Sequence, residues 1–280
     1  MSIEPEAAAG AFAYSRLRPQ FETIVSLGDR LRGDAKVDDV HDMRVAIRRL
    51  RALLKLFEDD LPAELVDLER RFGNAASRLG DVRDIDVQIE RLEKWSVDGL
   101  IPRLRGDREI AADAMRRYLG SFAYRQLVVT AKTLLAKEAT RGARTLGEVL
   151  PGTLRKCHRK FLRRAEKLQP NDDAKRFHKA RIAGKKLRYT LEVASDVFEA
   201  AKPYVKRLVK IQDILGEHQD CFVACEFFRS QAAAWSLPEQ EAARELVDRY
   251  EARARKLREK FPSVFEKAED EGWAALEARF

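Results

Sequence analysis

Apolar residues recur at every third or fourth position along nearly the whole chain, which is the spacing of an amphipathic α-helix. No stretch alternates apolar and polar residues with an enrichment of β-branched side chains, so we predict no strands. Glycine and proline interrupt the spacing and mark helix ends. The predicted helices are near Tyr14–Arg32, Val37–Glu58, Pro62–Leu79, Val82–Trp95, Asp107–Leu119, Phe122–Lys137, Glu148–Leu168, Asp173–Phe198, Pro203–Leu215, His218–Ala233 and Pro238–Glu259, with a short helix after Pro262.

Composition agrees with an all-α protein built from long helices. Of the 280 residues, 45% are hydrophobic and 36% are charged, as expected where each helix exposes a broad charged face. No apolar run approaches the roughly 20 residues that span a membrane, and the first residues lack the basic-then-apolar layout of a signal peptide. Three cysteines are too few for a disulfide framework. We therefore predict a cytoplasmic protein with reduced thiols and no membrane partner.

Two sequence motifs occur twice in the same order. HDMRVAIRRLRALLKLF begins at His41, and HKARIAGKKLRYTLEVA begins at His178. LGDVRD (Leu79–Asp84) follows the first, and LGEHQD (Leu215–Asp220) follows the second at nearly the same separation. Such a duplication predicts two related helical halves, residues 1–140 and 141–280, which together form one domain. The boundary is expected near residues 139–147.

Each of the two histidine-led motifs places its cations on one side of a helix. His41, Arg44, Arg48 and Arg51 form what we call the first comb, and His178, Arg181, Lys185 and Arg188 form the second comb. Spacings of three and four residues put neighbouring side chains roughly 4.5–6 Å apart along the helix axis. The opposite side of each helix is apolar. Three further cations lie at the edges of the combs: Arg49, Lys55 and Lys186.

Acidic residues are nearly absent from these helices. Asp42 is the only acid between His41 and Phe57, and none lies between Ala174 and Leu191. An ordinary solvated helix face mixes both signs, because like charges four residues apart repel one another. The chain also carries 54 Lys and Arg against 46 acids, a net charge of +8. We therefore favour a polyanionic ligand over a merely solvated face.

Two other segments add cations near the combs. The helix before the second comb carries Arg155, Arg159 and Arg163 at spacings of four residues. Arg16 precedes the first comb in a comparable but sparser way. Arg83 of LGDVRD has no basic counterpart, because Gln219 stands in its place, so we expect Arg83 to pair with Asp84 or Asp86 instead of binding a ligand.

The histidines of the combs have three alternative roles. They could bind a metal, accept a phosphoryl group, or donate a hydrogen bond to an anion. Zinc sites usually need three or four ligands, and no two histidines of this chain are four residues apart. We favour the hydrogen-bond donor. A separate set, His218, Cys221 and Cys225, shares one helix face, and we interpret it as part of the core, with metal binding as the alternative.

The sequence predicts a binding module without catalytic activity or cofactors. It contains no glycine-rich phosphate loop and no Ser/His/Asp arrangement, and no carboxylates are concentrated beside the combs to hold Mg²⁺. Nucleic-acid binding is the competing function on charge alone. Against it, the combs have almost no aromatic residues on which bases could stack, Tyr189 being the nearest, and no helix-turn-helix or zinc-finger pattern occurs.

The two motif pairs resemble those of the CHAD family, the conserved histidine α-helical domain, over roughly Tyr14 to Pro262. The resemblance implies two four-helix bundles related by pseudo-twofold symmetry, with basic helices lining a central groove or pore that binds inorganic polyphosphate. Family members are often fused to a triphosphatase domain of the CYTH type, whose β-rich pattern this chain lacks, so it is similar to stand-alone members. Polyphosphate granules and a polyphosphate-metabolising enzyme are candidate partners; the oligomeric state stays open.

The resemblance also implies which residues bind polyphosphate, position by position. All of them are cationic or histidine side chains of the two combs, their edges and the flanking helices. They are His41, Arg44, Arg48, Arg49, Arg51, Lys55, Arg155, Arg159, Arg163, His178, Arg181, Lys185, Lys186, Arg188 and Arg16.

Overall fold

The computed structural model describes residues 3–33, 35–36, 38–95, 97–137, 144–269 and 272–280. Within these ranges the chain is helical and contains no strand, only an isolated antiparallel bridge between Ala8 and Thr145. The predicted all-α class is confirmed. The helices are α1 (Ala9–Arg32), α2 (Asp39–Leu56), α3 (Ala63–Lys94), α4 (Ile101–Leu119), α5 (Phe122–Ala136), α6 (Leu146–Ala165), α7 (Ala174–Ala194), α8 (Ala201–Gln231), α9 (Leu237–Glu269) and α10 (Gly272–Glu277).

The chain divides into two compact units. The first unit, Ala7–Thr145, contains α1 to α5, and the second unit, Met1–Glu6 with Leu146–Phe280, contains α6 to α10. The amide of Ile3 donates to the carbonyl of Asp196 at 2.9 Å, which ties the first segment to the second unit. Residues 139–143 of the predicted boundary segment lie outside the described ranges, and the predicted pseudo-twofold symmetry stays a prediction.

Helices α3 and α8 continue through the LGDVRD and LGEHQD motifs, where the sequence predicted breaks. The predicted ends at Leu79 and Leu215 were wrong because apolar residues on both sides of each motif face the same core. Leu79, Val82 and Leu215 are almost fully buried. Packing of a continuous apolar stripe stabilises a helix more than a single glycine weakens it, which is about 1 kcal/mol.

Proline is also tolerated inside helices of this chain. Helix α9 runs through Pro262, where the sequence predicted a break and a separate short helix. Aromatic packing holds the helix there, because Phe261 contacts the ring of Phe177 on α7 and Phe265 contacts the ring of Phe161 on α6. Pro102 lies in the first turn of α4, a position where its missing N–H costs no hydrogen bond, so α4 begins earlier than predicted.

In the first unit, α2 packs against both α1 and α3. The side of α2 opposite the first comb is buried through Met43, Ile47, Leu50 and Leu54. Burying one such side chain stabilises the fold by roughly 1.5–3 kcal/mol. The helix is therefore fixed in rotation by its apolar stripe, which leaves the cationic stripe directed away from the core.

In the second unit, α7 packs against α6 and α8 in the same manner. Its buried stripe includes Phe177, Leu187 and Leu191. A Cβ on Gly184 would lie 2.2 Å from Nε2 of Gln212 on α8 and 3.1 Å from the ring of Phe161 on α6, so a larger residue there would displace both side chains. The second comb therefore stands on a helix whose backbone lies close to the neighbouring helix.

Candidate functional site

The beginning of each comb helix is fixed by an aspartate. In α2, the buried Asp39 forms a two-point ion pair with Arg30 of α1 and accepts a hydrogen bond from the Lys36 amide at 2.8 Å. These contacts, led by the hydrogen bond from Arg30, hold the pKa of Asp39 below its ordinary value. In α7, the capping Asp173 accepts from the Arg176 amide at 2.8 Å. Both comb helices therefore begin at a defined residue.

The side chains of the first comb differ in how deeply they are buried. His41 and Arg48 are exposed, as is the edge residue Arg49, whereas Arg44 and Arg51 are half-buried. The two half-buried side chains contact residues of α3. The structure therefore confirms that α2 carries its cations on the side away from its apolar stripe, with two of them resting on a neighbouring helix.

Arg44 lies in a notch on α3. Its Nη1 donates to the carbonyl of Ala76 at 3.3 Å, and a Cβ on Gly80 would lie only 2.6 Å from the same nitrogen. Burial lowers the pKa of Arg44, an effect that the nearby Asp84 opposes. The guanidinium nevertheless stays charged at neutral pH, as arginine side chains do in proteins. The LGDVRD motif thus provides the surface on which one rung of the first comb rests.

Acidic residues from outside the combs reach three of the cations. Arg51 donates to Oε1 of Glu69 on α3 at 2.6 and 2.9 Å, and Lys55 pairs with Glu58. In α7, Arg188 pairs with Glu192 at 3.3 Å. Single carboxylates therefore lie beside the combs, but among the described residues they do not form a cluster that could hold a metal ion. These pairs are partly exposed and therefore weak, so a ligand with denser negative charge can compete for the cations.

The second comb contacts the LGEHQD motif through its histidine. His178 Nδ1 lies 2.6 Å from Oε1 of Gln219 on α8. An amide oxygen only accepts, so Nδ1 carries the proton and Nε2 of the neutral ring is left as an acceptor. A hydrogen bond from Nε2 to a phosphate oxygen therefore requires the protonated ring. Arg181 and Lys185 are half-buried beside it, and Lys186 is exposed.

Helix α6 exposes the predicted arginine row, with one member engaged. Arg159 and Arg163 are exposed, and Arg155 donates from Nε to Glu277 of α10 at 3.0 Å. The Arg155 guanidinium also lies 5.2 Å from the ring centre of Phe280. Arg16 is half-buried with its guanidinium 5.2 Å from the ring centre of Phe12. Arg155 and Arg16 are thus less accessible to a ligand than Arg159 and Arg163.

Arg83 has a different partner from those predicted. It forms a two-point ion pair with Glu90, at 2.6 and 3.3 Å, about two turns further along α3. Asp86 instead pairs with Arg108 of α4 at 2.8 Å. The predicted pairing with Asp86 was wrong, because Arg108 of the neighbouring helix engages that carboxylate and Glu90 engages Arg83.

The set of His218, Cys221 and Cys225 lies in the core of the second unit. Burial, with the charge of Arg258 adding to it, lowers the pKa of His218 to about 4, so the ring is neutral at pH 7. Burial raises the pKa of the Cys225 thiol to about 11. Within the part of the chain that the structure describes, no three His, Cys, Asp or Glu side chains lie close enough together to hold a metal ion.

Several residues that position the combs were not identified from the sequence. Glu69, Gly80 and Gln219 each contact a rung, yet they lie on α3 or α8. The one available signal was the fixed order of the two motif pairs, which indicated that LGDVRD and LGEHQD belong with the combs.

In the described part of the chain, none of the helices combines the length and apolarity required to cross a bilayer.

Comparison with known proteins adds family and fold. Residues 15–229 match the family model described as CHAD domain. Two uncharacterized proteins of Mycobacterium tuberculosis, MT2285 and Rv2226, are each 30% identical to this chain over 239 residues, which is 77% of this chain and 44% of the relative. The chain thus spans less than half the length of these curated relatives.

Two solved structures share the fold. The crystal structure of the CHAD domain from the plant Ricinus communis is 24% identical, with a TM-score of 0.81, and the match covers 95% of this chain and 94% of that one. PptA from Streptomyces chartreusis is 16% identical, with a TM-score of 0.74, and the match covers 93% of this chain and 100% of that one. At these identities the likeness establishes the fold.

Proposed function

The chain belongs to the CHAD family, and from that premise we propose that it binds inorganic polyphosphate, without catalysis, through the cations of α2, α6 and α7. Polyphosphate carries negative charge on every unit and has no bases to be recognised, so a row of cations on a rigid helix suits it. The resemblance implies a central groove or pore for both combs; that arrangement is part of the proposal.

The observation that carries the proposal is the way in which the comb cations are held. Arg44 rests in the Gly80 notch, Arg51 is oriented by Glu69, and His178 is oriented by Gln219. These side chains keep their positions before a ligand arrives, so less conformational entropy is lost on binding. A solvated helix face has no need of such supports.

Nucleic acid is the weaker candidate because the combs offer no stacking surface. Tyr189, the nearest aromatic residue, is half-buried, and the guanidinium of Arg188 lies 5.2 Å from its ring centre. Single-stranded nucleic acids gain roughly 1–3 kcal/mol for each base that stacks on an aromatic side chain. A ligand made only of phosphates has no bases to stack, so a surface without exposed aromatic residues does not weaken its binding.

A competition experiment separates the two ligands. Long-chain polyphosphate, duplex DNA and single-stranded RNA are offered to the purified protein at equal phosphate concentration and at moderate salt. We expect polyphosphate to displace a labelled polyphosphate probe at a concentration at least tenfold lower than either nucleic acid. Equal competition by DNA or RNA would contradict the proposal.

Substitution of each comb tests whether both combs bind one ligand. We expect Arg44/Arg48/Arg51→Ala and Arg181/Lys185/Arg188→Ala each to weaken polyphosphate binding by at least tenfold, and His41→Ala to weaken it less. The matched control is Arg105/Arg117/Arg125→Ala, which removes the same charge from exposed positions of α4 and α5. If one comb can be removed without loss of affinity, the two combs do not share a ligand.

Polyphosphate binding suggests two cellular roles, location on polyphosphate granules and association with a polyphosphate-metabolising enzyme. Fluorescent fusions of the native chain and of the two comb variants distinguish location on granules from a diffuse distribution. We expect the native chain to collect on granules and both variants to stay diffuse. Granule staining that persists in both variants would assign targeting to another surface.

A further inference from the structure

A pocket of about 370 Å³ lies inside the second unit, between α8 and α9 and beside the beginning of α7. Residues spaced three and four positions apart on α8 form one wall, and a similar row on α9 forms the other. The volume falls in the range of small-molecule sites, roughly 300–1,000 Å³. We call this cavity the α8–α9 pocket. It shares no residue with either comb or with the arginine row of α6.

Two polar atoms of the pocket lining have unmet hydrogen-bonding capacity. His218 is 2% exposed, and its buried Nδ1 has no hydrogen-bond partner among the described residues. The Nε of Arg258 is likewise buried and without a hydrogen-bond partner in the described part of the chain, although its Nη1 donates to the carbonyl of Asp172 at 3.2 Å. Buried polar groups are nearly always hydrogen-bonded, so both atoms are candidates for contact with a ligand.

The charge of the pocket favours an anion. At its mouth, Arg229 is paired with Glu251, while Arg255 is exposed and Arg258 lies deeper. The lining thus keeps an excess of positive charge after the one internal ion pair is counted. Burial keeps His218 neutral at pH 7, so its ring can donate a single hydrogen bond without adding charge.

The rest of the lining is apolar. Phe222 is 42% exposed, which is unusual for a phenylalanine, and the buried Cys221 and Cys225 lie one turn apart on the same face of α8. Burial keeps the Cys225 thiol protonated, so it behaves as a small apolar group. The methyl group of Ala254 faces this surface from α9. A ligand that fits both parts has an anionic head and an apolar body.

We propose that the α8–α9 pocket binds a small carboxylate with an apolar chain. The positive charge of Arg255 and Arg258 attracts the carboxylate, and a small rotation of the Arg258 and His218 side chains brings their unmet donors, which neighbouring side chains cover, to its oxygens. The apolar chain lies against Phe222 and the two cysteines. This site is separate from the proposed polyphosphate site, and either can fail without the other.

Calorimetric titration of the full chain with octanoate tests the proposal. Octanol and inorganic phosphate serve as probes that carry only the chain or only the charge. We expect octanoate to bind with one-to-one stoichiometry and at least tenfold more tightly than either comparison probe. If binding does not saturate at octanoate concentrations up to about 10 mM, the proposal is overturned. Equal binding of phosphate overturns it as well, since the apolar lining then has no role.

Variants locate the octanoate site. Ala254→Phe fills the pocket from its half-exposed wall, and Arg258→Lys removes the two-point donor while keeping the charge. We expect both to weaken octanoate binding at least tenfold, and Arg244→Lys, at an exposed position of α9 outside the pocket, to leave it unchanged. Circular dichroism and urea denaturation report whether each variant is folded; if Arg258→Lys is not, Ala254→Phe decides. Unchanged octanoate binding in folded Ala254→Phe overturns the assignment.

Discussion

Two polar side chains in the core of the second unit carry atoms that have no hydrogen-bond partner among the described residues. Gln212 of α8 is buried, and neither its amide oxygen nor its amide nitrogen has a hydrogen-bond partner among the described residues. His218, two turns further along the same helix, is in a similar state at Nδ1. Leaving a buried polar group unsatisfied costs roughly 1–3 kcal/mol. These two positions therefore lower the stability of the unit in ways that substitution can measure.

Gln212→Met removes the unsatisfied amide and keeps the length of the side chain. We expect the free energy of unfolding to rise by about 1 kcal/mol, because the desolvation cost disappears and the packing against Gly184 is preserved. Urea denaturation of the variant and of the native chain measures the difference. Gln219→Met is the contrast: it breaks the contact with His178, so a stabilisation there as well would indicate a general effect of added apolarity.

His218 makes stability depend on pH. Its folded-state pKa of about 4 lies below the ordinary histidine value of 6.5, so the unfolded chain binds more protons between these two limits. Stability therefore falls as the pH falls from 6.5 to about 4, and the contribution of His218 is constant below about pH 4. Allowing for partial hydration of the pocket, we expect a loss of about 2 kcal/mol over this range.

The variant His218→Phe isolates that contribution, because acidic residues titrate in the same pH range in both proteins. We expect the native chain to lose more unfolding free energy than His218→Phe between pH 6.5 and pH 4, as followed by urea denaturation at each pH. Parallel pH profiles for the two proteins would show that His218 is not the group responsible.

At the scale of single helices, α2 depends on α3 for the orientation of its cations. Glu69 holds Arg51, and the same ion pair offsets part of the charge that a polyphosphate would meet. Exposed ion pairs contribute about 0–1 kcal/mol, so the pair positions the arginine without preventing its use. Arg155 and Glu277 of α10 form a comparable pair in the second unit.

Glu69→Gln keeps the shape of this side chain and removes its charge. We expect polyphosphate to bind about two- to fivefold more tightly, since a competing carboxylate is lost and the amide oxygen still accepts a hydrogen bond from Arg51. Glu64→Gln, on an exposed position of the first turn of α3, is the matched control for the change in net charge. Equal gains in both variants would indicate a long-range charge effect instead of release of Arg51.

The helical elements could be predicted from the sequence to a large extent, as could some of their ends, such as Arg32, Leu119 and Phe122, whereas other ends could not. The apolar period identified α1, α2 and α7, because one buried stripe fixes both the helix and its rotation. It divided α3 and α8 at their glycines, since a local pattern does not show that both halves of a helix face the same core. The comb cations could be recognised because their spacing is local in the sequence. Their partners Glu69 and Gln219 could not, because they reach the combs only through the packing of separate helices.

For the molecule as a whole, the proposed function depends on summed charge. The net charge of +8 is modest, but much of it is concentrated on a few helices, and this concentration attracts a polyanion. Binding of such a ligand releases condensed counterions, so affinity depends on salt in a predictable way.

We expect the logarithm of the polyphosphate association constant to fall linearly with the logarithm of salt concentration. Removal of three comb arginines in Arg44/Arg48/Arg51→Ala should make the slope shallower, because fewer ions are released. Fluorescence anisotropy at several salt concentrations measures both slopes. Affinity that does not change with salt would mean that contacts other than charge dominate, and the comb variant would then keep the native slope.

The notch in which Arg44 rests links two positions in evolution. A Cβ at position 80 would lie 2.6 Å from Nη1 of Arg44, so a replacement of Gly80 displaces the guanidinium from the notch. Because the arginine side chain is flexible, such a replacement costs the fixed position of the cation more than it costs stability. Among homologous sequences, glycine at position 80 should therefore be favoured where Arg44 is retained, and a wider range of residues should occur where Arg44 has been lost.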